Sequence, residues 1–300
     1  MDIFLQQLVN GLQVGAVYAL IALGYTMVYG VIKMINFAHG DVYMVGAYVA
    51  FAVATLLASG QTTAAGLAIF ALAMVVAMVG CALLGALIER TAYRPLRGQS
   101  RMVALTTAIG VSLLLENLMQ IIAGPNPRPF PELIPEQTWN VGVVHVNAKF
   151  MIVLAVSLVM MVGLQYLVMH TRLGKAMRAV AYDIDAARLM GVDVNRVIAY
   201  TFMIGSALAA VAGILVGTVY QRIDPFMGIL PGLKAFVAAV LGGIGNIPGA
   251  MLGGLLMGLA EVAVSSVRSQ LTGAVAFVIL IAVLLFKPTG LLGERVYDKV

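Results

Sequence analysis

Repeated apolar segments, each about 20 residues long, constrain this chain more than any other feature. A helix of that length crosses the hydrocarbon layer of a membrane, which is about 30 Å thick. Hydrophobic residues make up 62% of the chain and charged residues only 10%, a composition that excludes an ordinary soluble domain. Because backbone groups in lipid must be satisfied within the protein, we predict an all-α, polytopic bundle of membrane helices.

The hydropathy pattern places eight or nine spans along the chain. The seventh span is short for a membrane crossing, which leaves two alternatives open. The chain has either nine crossings, or eight crossings and one broken or re-entrant element. The first span has no basic region before it and no small-residue cleavage pattern after it, so we expect a retained helix rather than a signal peptide. The predicted spans are residues 9–31, 41–60, 64–88, 102–124, 149–170, 197–219, 230–243, 249–265 and 270–286.

Basic residues cluster in two loops and at the C-terminus, a distribution that marks the cytoplasmic side of a membrane protein. It accounts for the net charge of +5 without a nucleic-acid partner. The nine-span arrangement puts all three clusters on one side, with the N-terminus and the proline-rich segment 124–147 outside. We expect that segment to be extended and poor in hydrogen bonds. The clusters are Arg90, Arg94, Arg97 and Arg101; Arg172, Lys175, Arg178, Arg188 and Arg196; and Lys287, Arg295 and Lys299.

The first four and the last four of the nine spans run in opposite directions, with the fifth as a connector. Each half also has a polar interruption after its first span, at residues 30–41 and 221–232. Opposite orientation with broken helices in matching positions is the pattern of an inverted repeat. We therefore predict that a two-fold rotation in the membrane plane relates the two halves.

The segment 172–196 is unusually polar, with eight charged residues among 25. We expect an extension of the fifth span, then a short surface helix that Asp183 caps and that Gly191 ends in a left-handed conformation. A solvated loop is the simpler interpretation. Small residues on one face would nevertheless let a cytoplasmic partner approach closely, and Arg178 and Arg188 could pair with acidic groups on it.

Four motifs closely resemble the H-subunit permeases of Liv-type branched-chain amino-acid ABC importers, and the likeness runs from residue 11 to residue 293. These motifs together are highly specific for that family, although less so for its solute. They are INFAHGDVYMVGAY at 35–48, AYRPLRG at 92–98, TRLGKAMRAVAYDIDAARLMGV at 171–192 and KAFVAAVLGGIGNIPGAMLGGLLMGLAE at 234–261.

The resemblance implies a complex in the bacterial inner membrane with a second related permease, two cytoplasmic ABC ATPases and a periplasmic amino-acid-binding protein. It also implies one transmembrane permease domain, residues 1–300, in which residues 171–196 form a cytoplasmic coupling loop that fits a cleft on the ATPase. The interface residues carried over from the family are Gly174, Arg178, Ala179, Ala186, Ala187 and Gly191. The cap and the charge of the same segment add Asp183 and Arg188.

No G-x-x-x-x-G-K-[ST] motif occurs in the sequence, so the chain lacks the residues that hold nucleotide phosphates. We expect a transport subunit that is not an enzyme and binds no cofactor, with ATP and Mg²⁺ on the partner subunits. The glycine-rich segment 242–254 follows no predicted strand. Its glycines, with Gly258, recur four residues apart, which favours close helix packing in lipid, while the NIPG break at residues 246–249 could also line a cavity.

Polar residues at the interruptions and within the spans are candidates for the solute pathway, because ionisable groups are costly in lipid. For Glu116, Lys234 and Glu261, pairing between helices or an interfacial position is the simpler interpretation. No second histidine stands at metal-ligand spacing from His39, so we expect no zinc site. The candidate pathway residues are Asn36, Phe37, His39, Glu116, Asn117 and Glu261.

The resulting prediction is a permease that translocates leucine, isoleucine and valine with energy from partner ATPases. Urea, amides and other amino acids are alternative solutes, because the resembling family imports these as well. A stand-alone channel or secondary carrier is the alternative mechanism. The expected absence of paired acidic residues within one cavity argues against a proton-coupled carrier.

Overall fold

The computed structural model describes residues 2–57, 63–141 and 144–293. Arg295 and Lys299, which the sequence assigns to a cytoplasmic C-terminus, lie outside these residues. Helices dominate the described residues, as predicted, and short strands join some of them. The α-helices are α1 Asp2–Ile32, α2 His39–Leu57, α3 Thr63–Ile88, α4 Arg101–Ala123, α5 Ala148–His170, α6 Arg172–Tyr182, α7 Ile184–Leu189, α8 Val194–Tyr220, α9 Ile229–Gly242, α10 Ile247–Val267 and α11 Thr272–Phe286. The strands are β1 Arg128–Pro129, β2 Thr138–Val141, β3 Val144–Asn147 and β4 Arg222–Ile223.

Within the described residues, eight helical segments are long and apolar enough to cross a membrane. They contain α1 to α5, α8, α10 and α11. The ninth apolar helix, α9, has 14 residues and is therefore about 21 Å long. That length is less than the hydrocarbon thickness, so α9 completes a pass only together with the irregular segment that precedes it. The described residues thus contain eight candidate membrane spans and one shorter apolar helix.

Two contacts identify the opposite ends of the bundle. At the basic end, Arg97 of the loop after α3 donates a hydrogen bond to Asn195 at the start of α8. At the other end, which we call the loop end, the backbone N–H of His145 donates to Gln6 of α1 at 2.8 Å. Strand β1 pairs there with β4. The basic loops thus lie opposite the N-terminal part of α1 and segment 124–147, as the charge pattern predicts.

Each predicted polar interruption, residues 30–41 and 221–232, contains a non-helical segment, although its ends belong to helices, and the helices that follow meet inside the bundle. Residues 33–38 separate α1 from α2, and residues 224–228 separate β4 from α9. A Cβ on Gly228 would lie 2.4 Å from the carbonyl oxygen of Gly40, so only glycine allows this approach. Irregular backbone at membrane depth is tolerated where protein surrounds it, and Gly40 and Gly228 are buried. The two-fold relation between the halves stays a prediction.

Helix α1 lies at the centre of the bundle and packs closely against α10. A Cβ on Gly258 would lie 2.2 Å from the backbone nitrogen of Gly15, and one on Gly254 would meet Ala19 at 2.4 Å. On the neighbouring face of α10, Gly249 approaches the backbone of α9 in the same way. The glycine spacing therefore serves helix packing, as predicted. The NIPG break starts α10, because Asn246 accepts a hydrogen bond from the N–H of Gly249 at 2.9 Å.

The segment 124–147 differs from the expected extended chain with few hydrogen bonds. Its prolines precede a hairpin in which β2 pairs antiparallel with β3. Phe130, Leu133 and Ile134 from the proline-rich part are buried against the helices. The sequence suggested a surface segment, because proline has no backbone N–H with which to form regular structure. The apolar residues between the prolines instead pack on the loop end of the bundle.

Candidate coupling surface and solute cavity

Two short helices, α6 and α7, form the polar segment at the basic end. α6 is a separate helix rather than the expected extension of α5, because the chain turns at Thr171, whose hydroxyl accepts from the N–H of Gly174 at 3.1 Å. Asp183 caps α7 as predicted, and its carboxylate accepts two backbone N–H groups at 2.9 Å. Gly191 has a φ of 82°, the left-handed conformation that its position predicts.

Three of the predicted interface residues contact the chain's own spans. A Cβ on Gly174 would lie 2.2 Å from the carbonyl oxygen of Val168, so glycine allows α6 to approach the end of α5. The guanidinium of Arg178 donates a hydrogen bond to the same carbonyl oxygen. This oxygen lies in the last turn of α5, where carbonyl groups have no donor within the helix. Ala187 is buried. These placements show that Gly174 and Ala187 pack within the chain and that Arg178 links α6 to α5, while a role of the three residues in an ATPase interface stays a prediction.

The other predicted interface residues are exposed. Arg188 lies 3.5 Å from Asp185, and exposed pairs of this kind contribute little stability. The guanidinium therefore keeps most of its capacity to bind a partner. The exposed members of the predicted set are Arg178, Ala179, Asp183, Ala186, Arg188 and Gly191.

Three large side chains project from the same segment, and the sequence analysis did not single them out. Tyr182, Leu189 and Met190 are 86%, 89% and 84% exposed. We call these three residues the apolar knob. Exposed apolar side chains on a polar loop outside the spans make this segment a candidate for contact with another protein. The sequence feature that could have indicated them is the apolar pair Leu189 and Met190 at the end of the helix that Asp183 caps.

Glu261 belongs to a buried ion pair that joins three helices. Lys234 of α9 donates to its carboxylate at 2.6 Å, and the hydroxyl of Tyr18 in α1 donates to the other oxygen at 2.8 Å. Both charged side chains are nearly enclosed. The simpler interpretation of Lys234 and Glu261, pairing between helices, therefore describes their contacts.

The three candidates near the first interruption are packed inside the bundle. The hydroxyl of Tyr93 donates to the side-chain oxygen of Asn36 at 3.0 Å. The ring of Phe37 packs on an aromatic ring of α9, and the ring centroid of His39 lies 4.8 Å from that of Tyr25. These contacts hold the segment before α2 and its first residue against α1, α9 and the segment that follows α3.

Glu116 takes part in a pair of carboxyl groups that the sequence analysis did not expect. Its carboxyl group lies close to that of Asp41 of α2, and Ser112 of α4 donates a hydrogen bond to Asp41. The expectation that no paired acidic residues lie within one cavity stays a prediction. Asp41 and Glu116 are separated by 74 residues in the sequence, which hid their proximity. The neighbouring Asn117 points away, is exposed, and donates to the carbonyl of Leu113 at 2.7 Å.

A cavity of about 460 Å³ opens near the loop end between α1, α2, α8 and the start of α9. That volume lies in the range of small-molecule sites, which is about 300–1,000 Å³. None of the six candidate pathway residues lines it, although Tyr18 connects it to Glu261. The second polar interruption, residues 221–232, supplies part of its wall. The residues lining it include the polar side chains Gln13, Tyr18, Tyr43, Tyr220, Arg222 and Asp224.

The sequence profile of a family described as the permease component of the branched-chain amino acid transport system matches residues 7–284. The chain belongs to this permease family. The permease is 49% identical to the high-affinity branched-chain amino acid transport system permease protein BraD of Pseudomonas aeruginosa, over 99% of this chain and 98% of the relative. It is 46% identical to LivH of Escherichia coli with the same coverage. A 30% identity to the ribose import permease RbsC of Escherichia coli covers 50% of this chain and 45% of that relative.

Family membership confirms the predicted class of function. The chain is a multi-pass membrane permease of an ABC transport system, related to permeases of the bacterial inner membrane. It is a transport subunit rather than a catalytic one, and ATP binding belongs to its ATPase partners. The permease therefore needs a surface that receives motion and a cavity that admits solute. The apolar knob and the loop-end cavity lie at opposite ends of its bundle.

Proposed function

We propose that this permease imports leucine, isoleucine and valine, paired with a second related permease on two cytoplasmic ATPases and supplied by a periplasmic binding protein. The observation that carries the proposal is the likeness to two permeases described as parts of high-affinity branched-chain amino acid transport systems, which extends over 99% of this chain. Large apolar side chains remain exposed on α3, α4, α5 and α11, which leaves faces for lipid and for a second permease.

We propose further that the whole chain is one transmembrane domain and that residues 171–196 are its coupling loop. The apolar knob inserts into a cleft on the ATPase, and Arg188 with the exposed small residues Ala179, Ala186 and Gly191 forms the rim of the contact. A few buried anchors surrounded by polar residues are the usual arrangement of a protein interface.

The anchoring of α6 and α7 explains how a movement at the knob reaches the spans. Gly174 and Arg178 fix α6 to the end of α5, and the buried Ala187 holds α7 against the bundle. Closure of the ATPase dimer would therefore displace α5 and α8 together and turn the bundle from inward-facing to outward-facing. The ATPase drives this change only through different affinities of its two states for the knob.

Alanine substitution of the knob tests the coupling. We expect Leu189→Ala to lower ATPase co-purification and leucine uptake by about tenfold, since truncating an interface anchor costs about 1–2 kcal/mol. Lys175→Ala is the matched control, because Lys175 is exposed on α6 of the same loop but lies outside the knob. Equal uptake and equal ATPase recovery for the two variants would refute the coupling proposal.

Uptake of labelled leucine, glutamate and urea in cells with and without this gene tests the solute. We expect the gene to raise leucine uptake and to leave the other two unchanged. Uptake of urea or glutamate alone would replace the proposed solute. Vesicles that contain the permease without ATPases test the mechanism, and uphill leucine accumulation in them would establish a secondary carrier instead.

A further inference from the structure

The loop-end cavity contains one side chain of each charge. Arg222 and Asp224 both line it, while Ile223 between them is fully buried in the opposite direction. This alternation is expected for extended backbone, where residues two apart share a face. The two groups form no ion pair with each other within the described residues. The carboxylate of Asp224 accepts the N–H of Phe226 at 3.0 Å, which fixes its position at the cavity wall.

Neither charge is saturated by the protein. The guanidinium of Arg222 has five N–H donors and no hydrogen-bond acceptor among the described residues. The hydroxyl of Tyr43, which also lines the cavity, is fully buried and has no partner in the described part of the chain. Buried hydroxyl groups are normally hydrogen-bonded, so Tyr43 brings to the cavity wall a polar group whose hydrogen-bonding capacity is unused.

Most of the remaining wall is apolar. Val14, Val17, Val216 and Val219 line the side formed by α1 and α8, and Leu230 lines the start of α9. An aliphatic side chain would be removed from water against these residues, whereas a sugar or urea would leave them uncovered. The combination of a cation, an anion and an aliphatic wall matches a zwitterionic amino acid with a branched aliphatic side chain.

We propose that this cavity is the site where the permease receives the amino acid at its outer face. Arg222 pairs with the α-carboxylate, Asp224 accepts from the α-ammonium group, and Tyr43 completes the hydrogen bonds of the zwitterion. The inference rests on the proposed function, since it assigns the solute to a place in the permease. The site is open to one side, so it binds weakly enough to release solute to the pathway.

The test uses the complete complex in proteoliposomes, with ATP inside and binding protein loaded with labelled leucine outside. Arg222→Gln and Asp224→Asn each remove one charge, and asparagine keeps the oxygen that accepts from Phe226. We expect initial leucine uptake to fall about tenfold or more for each variant, the usual effect of losing a charge-assisted hydrogen bond. ATP hydrolysis stimulated by the binding protein should stay within about twofold of the parent, because the knob is untouched.

Arg128→Gln is the matched control. Arg128 lies on β1, the partner strand of β4, but its side chain is outside the cavity. We expect this variant to keep uptake within about twofold of the parent. Arg222→Lys should restore most of the uptake that Arg222→Gln loses, because a positive charge is retained. Normal uptake with Arg222→Gln and Asp224→Asn, or no rescue by Arg222→Lys, overturns the proposed site.

Tyr43→Phe gives a second readout that does not depend on charge. The hydroxyl makes no hydrogen bond within the described residues, so its removal should leave the unfolding temperature unchanged while lowering leucine uptake several-fold. Unchanged uptake would remove Tyr43 from the site. A parent complex that imports none of the branched-chain amino acids would instead refute the proposed function, so the two failures are distinguishable.

Discussion

Replacing Glu261 with glutamine tests the buried ion pair that joins α1, α9 and α10. Glutamine keeps the oxygen that accepts from Tyr18, so the main change is that Lys234 loses its counter-ion. The two charged side chains are only 13% and 11% exposed, and their atoms lie 2.6 Å apart. Removing one partner of such a pair costs about 3–5 kcal/mol, because an uncompensated charge stays in the bundle. We therefore expect Glu261→Gln to destabilise the permease by about that amount.

The double variant Lys234→Met with Glu261→Gln removes both charges and keeps similar side-chain volumes. We expect it to recover most of the lost stability, since replacing a buried pair by neutral groups is often neutral or stabilising. Unfolding in mixed micelles with increasing denaturing detergent measures the single and double variants as a cycle. A single variant as stable as the parent, or a double variant no better than the worse single one, would refute the reasoning. Leucine uptake by the double variant would also exclude an essential pathway role for Glu261.

Three further predictions concern other parts of the fold. Gly258→Ala should destabilise the permease by about 1–3 kcal/mol, because the added methyl group would meet the backbone of α1. Gly163→Ala is the control and should leave stability unchanged, because there is open space around Gly163. Thermal unfolding in detergent compares the two variants. Asp183→Ala should destabilise α7 by about 1 kcal/mol, because the helix loses its N-terminal cap. The amide hydrogens of α7 should then exchange faster with solvent. Tyr93→Phe should lower the unfolding temperature by leaving the buried Asn36 without its donor.

The helical architecture follows from the sequence because lipid permits few alternatives. Apolar segments of sufficient length must become helices, and the distribution of arginine and lysine orients them. The glycine pairs on α10 also predict their packing, because the spacing places them on common faces. The break at Thr171 was not predicted. The alanine-rich sequence that follows favours a continuous helix, and only the Thr171 hydroxyl, which caps a new helix, opposes it.

The candidate sites were less predictable because they depend on contacts distant in sequence. Asp183 and Gly191 were placed correctly from local rules for helix ends. The pairing of Asp41 with Glu116 depends on how α2 packs against α4, which the pattern does not reveal. The exposure of Tyr182 likewise depends on the burial of the opposite face of α6. The cavity forms from four separate helices, so only its contribution from residues 221–232 had a signal in the sequence.

The central position of α1 has a consequence for synthesis. It is synthesised well before its packing partners α8, α9 and α10. Until they arrive, the small-residue face of α1 around Gly11 and Gly15 must rest against lipid or a helper protein. Because contacts so distant along the chain form late, the bundle closes only after these three helices have been made. Premature termination after α7 would therefore leave an inserted but unassembled product that quality-control proteases can remove.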